Sequence, residues 1–306
     1  MNLEPKNQLK LLGFNDEFNE LKSLYEKKRL PTKIMFSGQK GLGKSTLAYH
    51  LINYILSKDE KEFYNVLNFT INENNKSYKL IQNNTNPNFD LVDLQPEKKN
   101  IDIKQIRDLI LKMNKSSFNS KPRFILIDNI EFLNLNSSNA LLKNLEEPNE
   151  NIYFILINSE KKILETIKSR CLNFKISKSY AEIQKITNLL IDQNISNLVN
   201  KELLNYYLTP GKILNLIKFS NDYDINLQTK NINDFLRLII DNNYYKKDLS
   251  IKLLVYDLIE FFLINYTKFT KYQYYNYFIK KINDIKKFNL DEESFFIEFR
   301  SKLLNG

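Results

Sequence analysis

The chain has 306 residues, enough for two or three domains, and a 42% hydrophobic content that supports a normal core. Its single cysteine, Cys171, excludes an internal disulfide and a four-cysteine zinc module, and its single histidine, His50, leaves almost no material for His-based metal sites or a Ser-His-Asp triad. The net charge of +9 fits attraction to nucleic acid or an acidic protein, but the lysines are scattered among abundant Asn, Ile, Tyr and Phe, as an AT-rich coding sequence also produces. No apolar run reaches about 18 residues, so no membrane span is expected. The first residues lack a basic-then-apolar signal pattern, and the expected setting is cytoplasmic.

Short β-like runs alternate with amphipathic helical runs in the first half, the pattern of βαβ units and a parallel sheet. "KIMF" (Lys33 to Phe36) reads as a strand after Pro31, followed by a helix from about Gly43 through "STLAYHLINYILS". The polar stretch from Asn68 to Asn88 reads as an excursion or loop, and "FDLVDLQ" (Phe89 to Gln95) as a second strand. From Ile101 to Met113, Ile103, Ile106, Leu109 and Ile110 recur at helical spacing. "RFILID" (Arg123 to Asp128) is a third strand. "SSNALLKNLEEP" is a helix capped by Asn136 or Ser137 and stopped by Pro148. "YFILIN" (Tyr153 to Asn158), "KKILETIKSR" and "CLNFKIS" complete the pattern as strand, helix and strand. The third and fourth strands are apolar without alternation, as expected of central parallel strands buried on both faces. Beyond about Ser177 the β signals fade into short helices, broken near "LTPGK", and then into longer aromatic-rich helices whose rings read as core. The expected organisation is an α/β domain over 1–177, a small helical domain over 178–219 and an all-helical domain over 220–306.

Three of the six glycines, Gly38, Gly41 and Gly43, fall within "GQKGLGKS". This matches G-x-x-x-x-G-K-[ST] between a predicted strand and a predicted helix, the context that gives the motif its meaning. The glycines let the backbone wrap phosphates, and the loop amides and helix N-terminus face the anion. Lys44 would reach the outer phosphates. Ser45 would ligate Mg2+ through its hydroxyl, with Thr46 packed behind. Asp128, at the end of an apolar strand, can hold the metal or its water. A strand-end acid that caps the following helix is the alternative for that residue.

"GLGKSTLAYHL", "NSSNALLKNLEEPNENIYFILI" and "LETIKSRCLNFKI" occur in one order that closely resembles the AAA+ clamp-loader subunits of bacterial DNA polymerase III. "LPTKIMFSG" resembles that family's entry to its first strand, and "TPGKILNL" a stretch of its delta-prime subunits. The resemblance covers residues 20–218 strongly and the remainder only architecturally. It implies an AAA+ parallel sheet with helices on both faces, a helical lid and a C-terminal collar. It implies ATP or ADP with Mg2+; the four-cysteine zinc module that gamma/tau and some delta-prime subunits carry is not expected here, since the chain has one cysteine. It also implies a hetero-pentamer with gamma/tau and delta subunits that places a sliding clamp on primer–template DNA. Arg170, in "SRC", would be an arginine finger aimed at the neighbouring subunit's nucleotide. Asn158 would stand where the family has a polar sensor, a strand-end turn residue being the alternative. Lys212 stands where the family usually carries an arginine of the lid, and it lacks that residue's planar fork. Glu146 and Glu147, adjacent on one helix and pointing apart, read as packing and interface residues.

The motor subunits of the family follow the strand-end aspartate with a glutamate that activates water. Here the next residue is Asn129, which cannot act as a base. Were the strand to continue, Glu131 would lie roughly 6–7 Å further along, too far to substitute without a local rearrangement. The family's delta-prime subunits typically lack the glutamate, and its gamma/tau chains commonly run beyond the collar. The resemblance therefore falls on the delta-prime type, with nucleotide binding kept and little hydrolysis. A gamma/tau-like motor that uses Glu131 or another acid as its base is the competing expectation.

Overall fold

The computed structural model describes residues 4–95, 98–113, 119–146, 151–159, 162–206, 208–247, 249–266, 272–288 and 290–304. The chain divides into two units, Met1–Glu182 and Ile183–Gly306.

The first unit holds one five-stranded sheet: β1 (Lys33–Ser37), β2 (Phe89–Val92), β3 (Arg123–Ile127), β4 (Ile152–Asn158) and β5 (Leu172–Lys175), in the order β2-β3-β4-β1-β5. Every pairing is parallel, so the C-terminal ends of all five strands share one edge. Loops that leave a parallel sheet at that edge are where ligands bind. β4 lies between β1 and β3, with Ser37 opposite Asn158 and Ile127 opposite Leu156. The loop after β1 and the residue after β3 are thus brought to one place from distant parts of the chain.

Besides the sheet, the first unit has, among the described residues, α1 (Asn15–Glu26), α2 (Lys44–Leu56), α3 (Lys76–Gln82, packed against α2), α4 (Ile103–Met113), α5 (Leu135–Glu146) and α6 (Glu165–Lys168). On one face Ile125, Ile127, Phe154 and Leu156 pack with Ile106 and Leu109 of α4, Leu141 and Leu145 of α5 and Ile167 of α6. Successive residues of a strand point to opposite faces. Their neighbours Phe124, Leu126, Ile155 and Ile157 are buried as well, which explains the absence of alternation in these two strands. α2 packs against β4 and is buried around its whole circumference from Leu47 to Leu56.

Local details depart from the sequence reading in three places. α5 starts at Leu135 because Asn134, not Asn136 or Ser137, supplies the cap: its Oδ1 accepts from Ser137 N at 2.8 Å. Ser137 lies inside the first turn and donates to the Ile101 carbonyl; the expected stop at Pro148 lies outside the described residues. The helix expected over "KKILETIKSR" shrinks to the single turn α6, since Leu164 is extended and only Ile167 is buried. The polar stretch over 68–88 contains an ordered helix, α3, capped by Asn75 through Tyr78 N at 2.8 Å. Asn75 also donates to the Glu62 carbonyl and accepts from Asn53. Asparagine side chains here satisfy backbone groups that a sheet ladder would otherwise satisfy.

Beside that segment, Tyr64 is buried and stacked on Phe18, with ring centroids 5.1 Å apart. His50 is fully buried, with Nε2 2.9 Å from the Gln8 carbonyl and Nδ1 2.9 Å from the Tyr64 hydroxyl. A carbonyl only accepts, so Nε2 carries the hydrogen, Nδ1 accepts and Tyr64 donates. Burial pushes the His50 pKa down to about 4, which the Gln8 hydrogen bond only partly opposes.

The second unit is helical: α7 (Tyr180–Ile191, which begins at the end of the first unit), α8 (Lys201–Asn205), α9 (Pro210–Asp222), α10 (Ile232–Asp241), α11 (Tyr244–Lys247), α12 (Leu249–Tyr266), α13 (Tyr272–Phe288) and α14 (Glu292–Phe299). Asn200, Asn231 and Asp291 cap α8, α10 and α14 through their side chains. α10 turns Ile232, Phe235, Leu236 and Ile239 inward at helical spacing. Phe278 meets Phe295 and Phe299 edge-to-face, with all three rings buried. Tyr245, Tyr256, Phe262, Phe278, Phe295, Phe296 and Phe299 are core as expected, whereas Tyr277 and Phe288 are exposed. Among the described residues no helix is long and apolar enough to cross a membrane.

Candidate nucleotide site

β1 ends at Ser37, and the chain passes through Gly38 to Gly43 into α2. Gly38 N donates to the Asn158 carbonyl at 3.2 Å, which ties the start of the loop to the end of β4. A Cβ at Gly38 would lie 2.2 Å from the Ile176 carbonyl oxygen, so no side chain fits. Gly41 has φ +88°. Gly43 caps α2 in the left-handed region at φ +96°, the turn that aims the helix N-terminus into the loop. Lys44 is only 4% exposed, and its ammonium donates to the carbonyls of Gly38 and Gln39, both at 2.7 Å. Thr46 is half-buried in the first turn of α2.

Ser45 Oγ donates to Asp128 Oδ2 at 2.5 Å, across 83 positions of sequence. The pair forms because β1 and β3 flank β4 and end at the same edge. Burial is the main influence on Asp128 and pushes its pKa up to about 6; the Ser45 hydrogen bond opposes, the Asp93 charge adds, and Asn129 N–H and Lys44 oppose. The carboxylate is thus short of positive charge. A hydroxyl and a carboxylate side by side form a donor set for a hard divalent cation such as Mg2+. The loop amides, Lys44, Ser45 and Asp128 together fit a magnesium-bound nucleoside phosphate.

Asn129 stands in the left-handed conformation, φ 55° and ψ 44°, which asparagine tolerates better than most residues. Its backbone N–H donates to Asp128 Oδ1 at 2.8 Å and its side-chain Nδ2 to Asp93 Oδ1 at 2.7 Å. The turn at Asn129 ends the strand and starts a 3-10 helix, Ile130–Phe132. Glu131 therefore does not lie further along β3. Its Oε2 accepts from Ser159 N at 3.3 Å, next to Asn158, and its Oε1 is buried with no hydrogen-bond partner among the described residues.

Gly38, Gly41, Gly43, Lys44, Ser45, Thr46, Asp128 and Asn158 share the C-terminal edge of the sheet, with Asn158 6% exposed at the end of β4. Arg170 lies in the turn from α6 to β5, its Nη1 donating to the Thr166 carbonyl at 2.8 Å and its Nη2 to Glu146 Oε1 at 2.5 Å. Lys212 belongs to the second unit, where its ammonium pairs with Asp257 at 2.7 Å. Glu147 lies outside the described residues. Cys171 is half-buried and unpaired; burial raises its thiol pKa to about 11, as suits packing rather than reactivity. Sequence reasoning missed Asp93 and the Glu146–Arg170 pair. Asp93 had a weak signal, an acid near the end of a predicted strand; the Glu146 pair had none.

A family model described as DNA polymerase III, delta subunit matches residues 14–179, more than half of the chain. The DNA polymerase III subunit gamma/tau of Mycoplasma genitalium is 30% identical over 201 residues, 65% of this chain and 31% of that protein. The DNA polymerase III subunit delta' of Bacillus subtilis is 31% identical over 191 residues, 59% of this chain and 54% of that protein. The matches thus span about a third to a half of these relatives. Among solved structures, a DNA polymerase III gamma subunit-related protein of Thermotoga maritima matches at 20% identity and a TM-score of 0.46, covering 88% of this chain and 79% of that one. Relatives of both subunit names are similar to this chain at nearly equal identity, so they identify the family and leave the subunit type to the site. The family match, the parallel P-loop sheet and the phosphate-loop geometry make the chain a member of the DNA polymerase III delta subunit family of AAA+ clamp-loader proteins.

Proposed function

We propose that this chain is a delta-prime, or stator, subunit of the DNA polymerase III clamp loader. In this reading Gly38, Gly41, Gly43, Lys44, Ser45, Thr46, Asp128 and Asn158 bind ATP or ADP with Mg2+, the metal held by Ser45 and Asp128. The magnesium would neutralise phosphate charge when bound. Residues 178–219 would form a lid domain, and residues 220–306 would form the collar that joins the chain to gamma/tau and delta subunits in a hetero-pentamer. The complex would place a sliding clamp on primer–template DNA, in the cytoplasm.

The observation that carries the reading is Asn129. It occupies the position of the water-activating glutamate, an amide cannot accept the proton, and its Nδ2 is engaged by Asp93. With an intact phosphate loop and Arg170 half-exposed in the turn before β5, the chain has the parts to bind nucleotide and to offer a guanidinium to a neighbour. Fingers of that kind contribute roughly 10³–10⁵ in rate. Arg170→Ala is expected to leave the nucleotide affinity of the isolated chain unchanged and to depress the ATPase of the reconstituted complex. Loss of affinity in the isolated variant would defeat the trans role. Lys44→Ala is expected to abolish nucleotide binding; retained affinity would make the loop vestigial.

One observation favours a second reading, a gamma/tau-like motor. The turn at Asn129 carries Glu131 to the end of β4, with one carboxylate oxygen buried and without a hydrogen-bond partner among the described residues. Turnover by the isolated chain that Glu131→Gln removes would support it.

A further inference from the structure

The guanidinium of Arg170 is held from two directions. The Thr166 carbonyl accepts from Nη1 within the same helical turn, a contact any arrangement of that turn can make. Glu146 accepts from Nη2 and is the last residue of α5, 24 positions earlier. This second contact ties the direction of the guanidinium to another helix of the sheet domain. Of the five N–H donors of an arginine, the two contacts use two and leave three.

We propose that Glu146 is a positioning residue for Arg170: it presets the direction of the guanidinium so that the remaining donors face outward, toward a phosphate of a neighbouring subunit. The proposal rests on the reading of Arg170 as a trans finger. The Arg170 and Glu146 side chains are 31% and 51% exposed, so the pair adds little to stability. A single solvated carboxylate is also a poor competitor for a guanidinium against a multiply charged phosphate, so the pair orients the arginine and does not lock it away. Orientation matters because a long, flexible side chain otherwise loses its rotamer freedom during the catalytic step.

The test compares wild type, Arg170→Ala, Glu146→Ala and Glu146→Gln. ATPase of the reconstituted complex gives kcat and KM. Nuclear magnetic resonance of the arginine Nη protons in the isolated full chain, assigned with Arg170→Ala, gives a readout that needs no nucleotide. Glu146→Ala is expected to lower kcat about 2–5-fold with KM unchanged, the size of an ion pair of about 0.4–1 kcal/mol. Glu146→Gln, which keeps an oxygen acceptor, is expected to retain more than half of wild-type kcat. Rotation about the Arg170 Cζ–Nη bonds is expected to be slow in wild type and fast in Glu146→Ala. An unchanged or raised kcat in Glu146→Ala, while Arg170→Ala is defective, would overturn the positioning role. So would Nη rotation that does not change. A silent Arg170→Ala would instead overturn the trans-finger reading, and the proposal with it.

Discussion

The side-chain amide of Asn129 donates to Asp93 Oδ1 at 2.7 Å, joining residues 36 positions apart through the β2–β3 strand pair. The contact places a neutral donor against a carboxylate beside Asp128, whose own charge is already disfavoured by burial and by Asp93. Asn129→Asp would set two carboxylates at that distance. It should lower stability by roughly 2 kcal/mol at pH 8, from a lost charge-assisted hydrogen bond and like-charge repulsion, and by less at pH 5, where one acid takes up a proton. Urea unfolding at both pH values measures this, and adding Asp93→Asn should recover most of the loss.

Asp128 itself predicts a trade between stability and binding. Its folded pKa of about 6 exceeds the ordinary 3.8, so its favourable contribution is full below about pH 4 and is lost as pH rises through about 6. A shift of two units corresponds to about 3 kcal/mol, from which one hydrogen bond lost in the amide must be subtracted. Asp128→Asn should therefore stabilise the nucleotide-free chain by roughly 1–2 kcal/mol at pH 8. The gain should shrink toward pH 4, and magnesium-dependent nucleotide binding should fall. Thermal melts across that range, with a magnesium-nucleotide titration, check both halves.

His50 has the opposite sign. Its folded pKa of about 4 lies below the ordinary 6.5, so its contribution is full above pH 6.5 and is lost as pH falls toward 4. The amount is about 3 kcal/mol for a shift of this size. Because His50 is the only histidine, its Hε1 resonance can be followed without overlap from another imidazole. A midpoint near 4 is expected; one near 6.5 would mean that the Gln8–His50–Tyr64 chain is not formed in solution.

Gly38→Ala should cost roughly 1–3 kcal/mol of stability, the usual size of enforced backbone strain or overpacking. The added methyl meets the Ile176 carbonyl at 2.2 Å, and Ile176 N–H is bonded to Ser37, so the end of β5 cannot withdraw freely. A lowered Tm together with weakened nucleotide binding is the expected outcome.

Much of the site was legible before the structure. Glycine spacing, a strand before the loop and a helix after it define a phosphate cradle locally, and apolar strands ending in Asp128 and Asn158 point to one sheet edge. What escaped sequence reasoning depends on pairs that topology alone creates. Asp93 meets Asn129 only because β2 lies beside β3, and Glu146 meets Arg170 only because α5 and α6 share a face of the sheet. The position of Glu131 depended on whether the strand continued past Asn129, and the left-handed turn that this residue adopts ends it there. The asparagine-rich segment near α3 looked like a loop because its order comes from side-chain hydrogen bonds and one buried Tyr64, not from apolar periodicity.

The most direct test of the account is one experiment on the isolated chain: bound nucleotide and released phosphate measured together with ATP and Mg2+. The account predicts stoichiometric binding that Lys44→Ala removes, with turnover far below about one per second, the low end for working enzymes. Turnover of several per second without any partner would contradict it and return the water-activating role to Glu131.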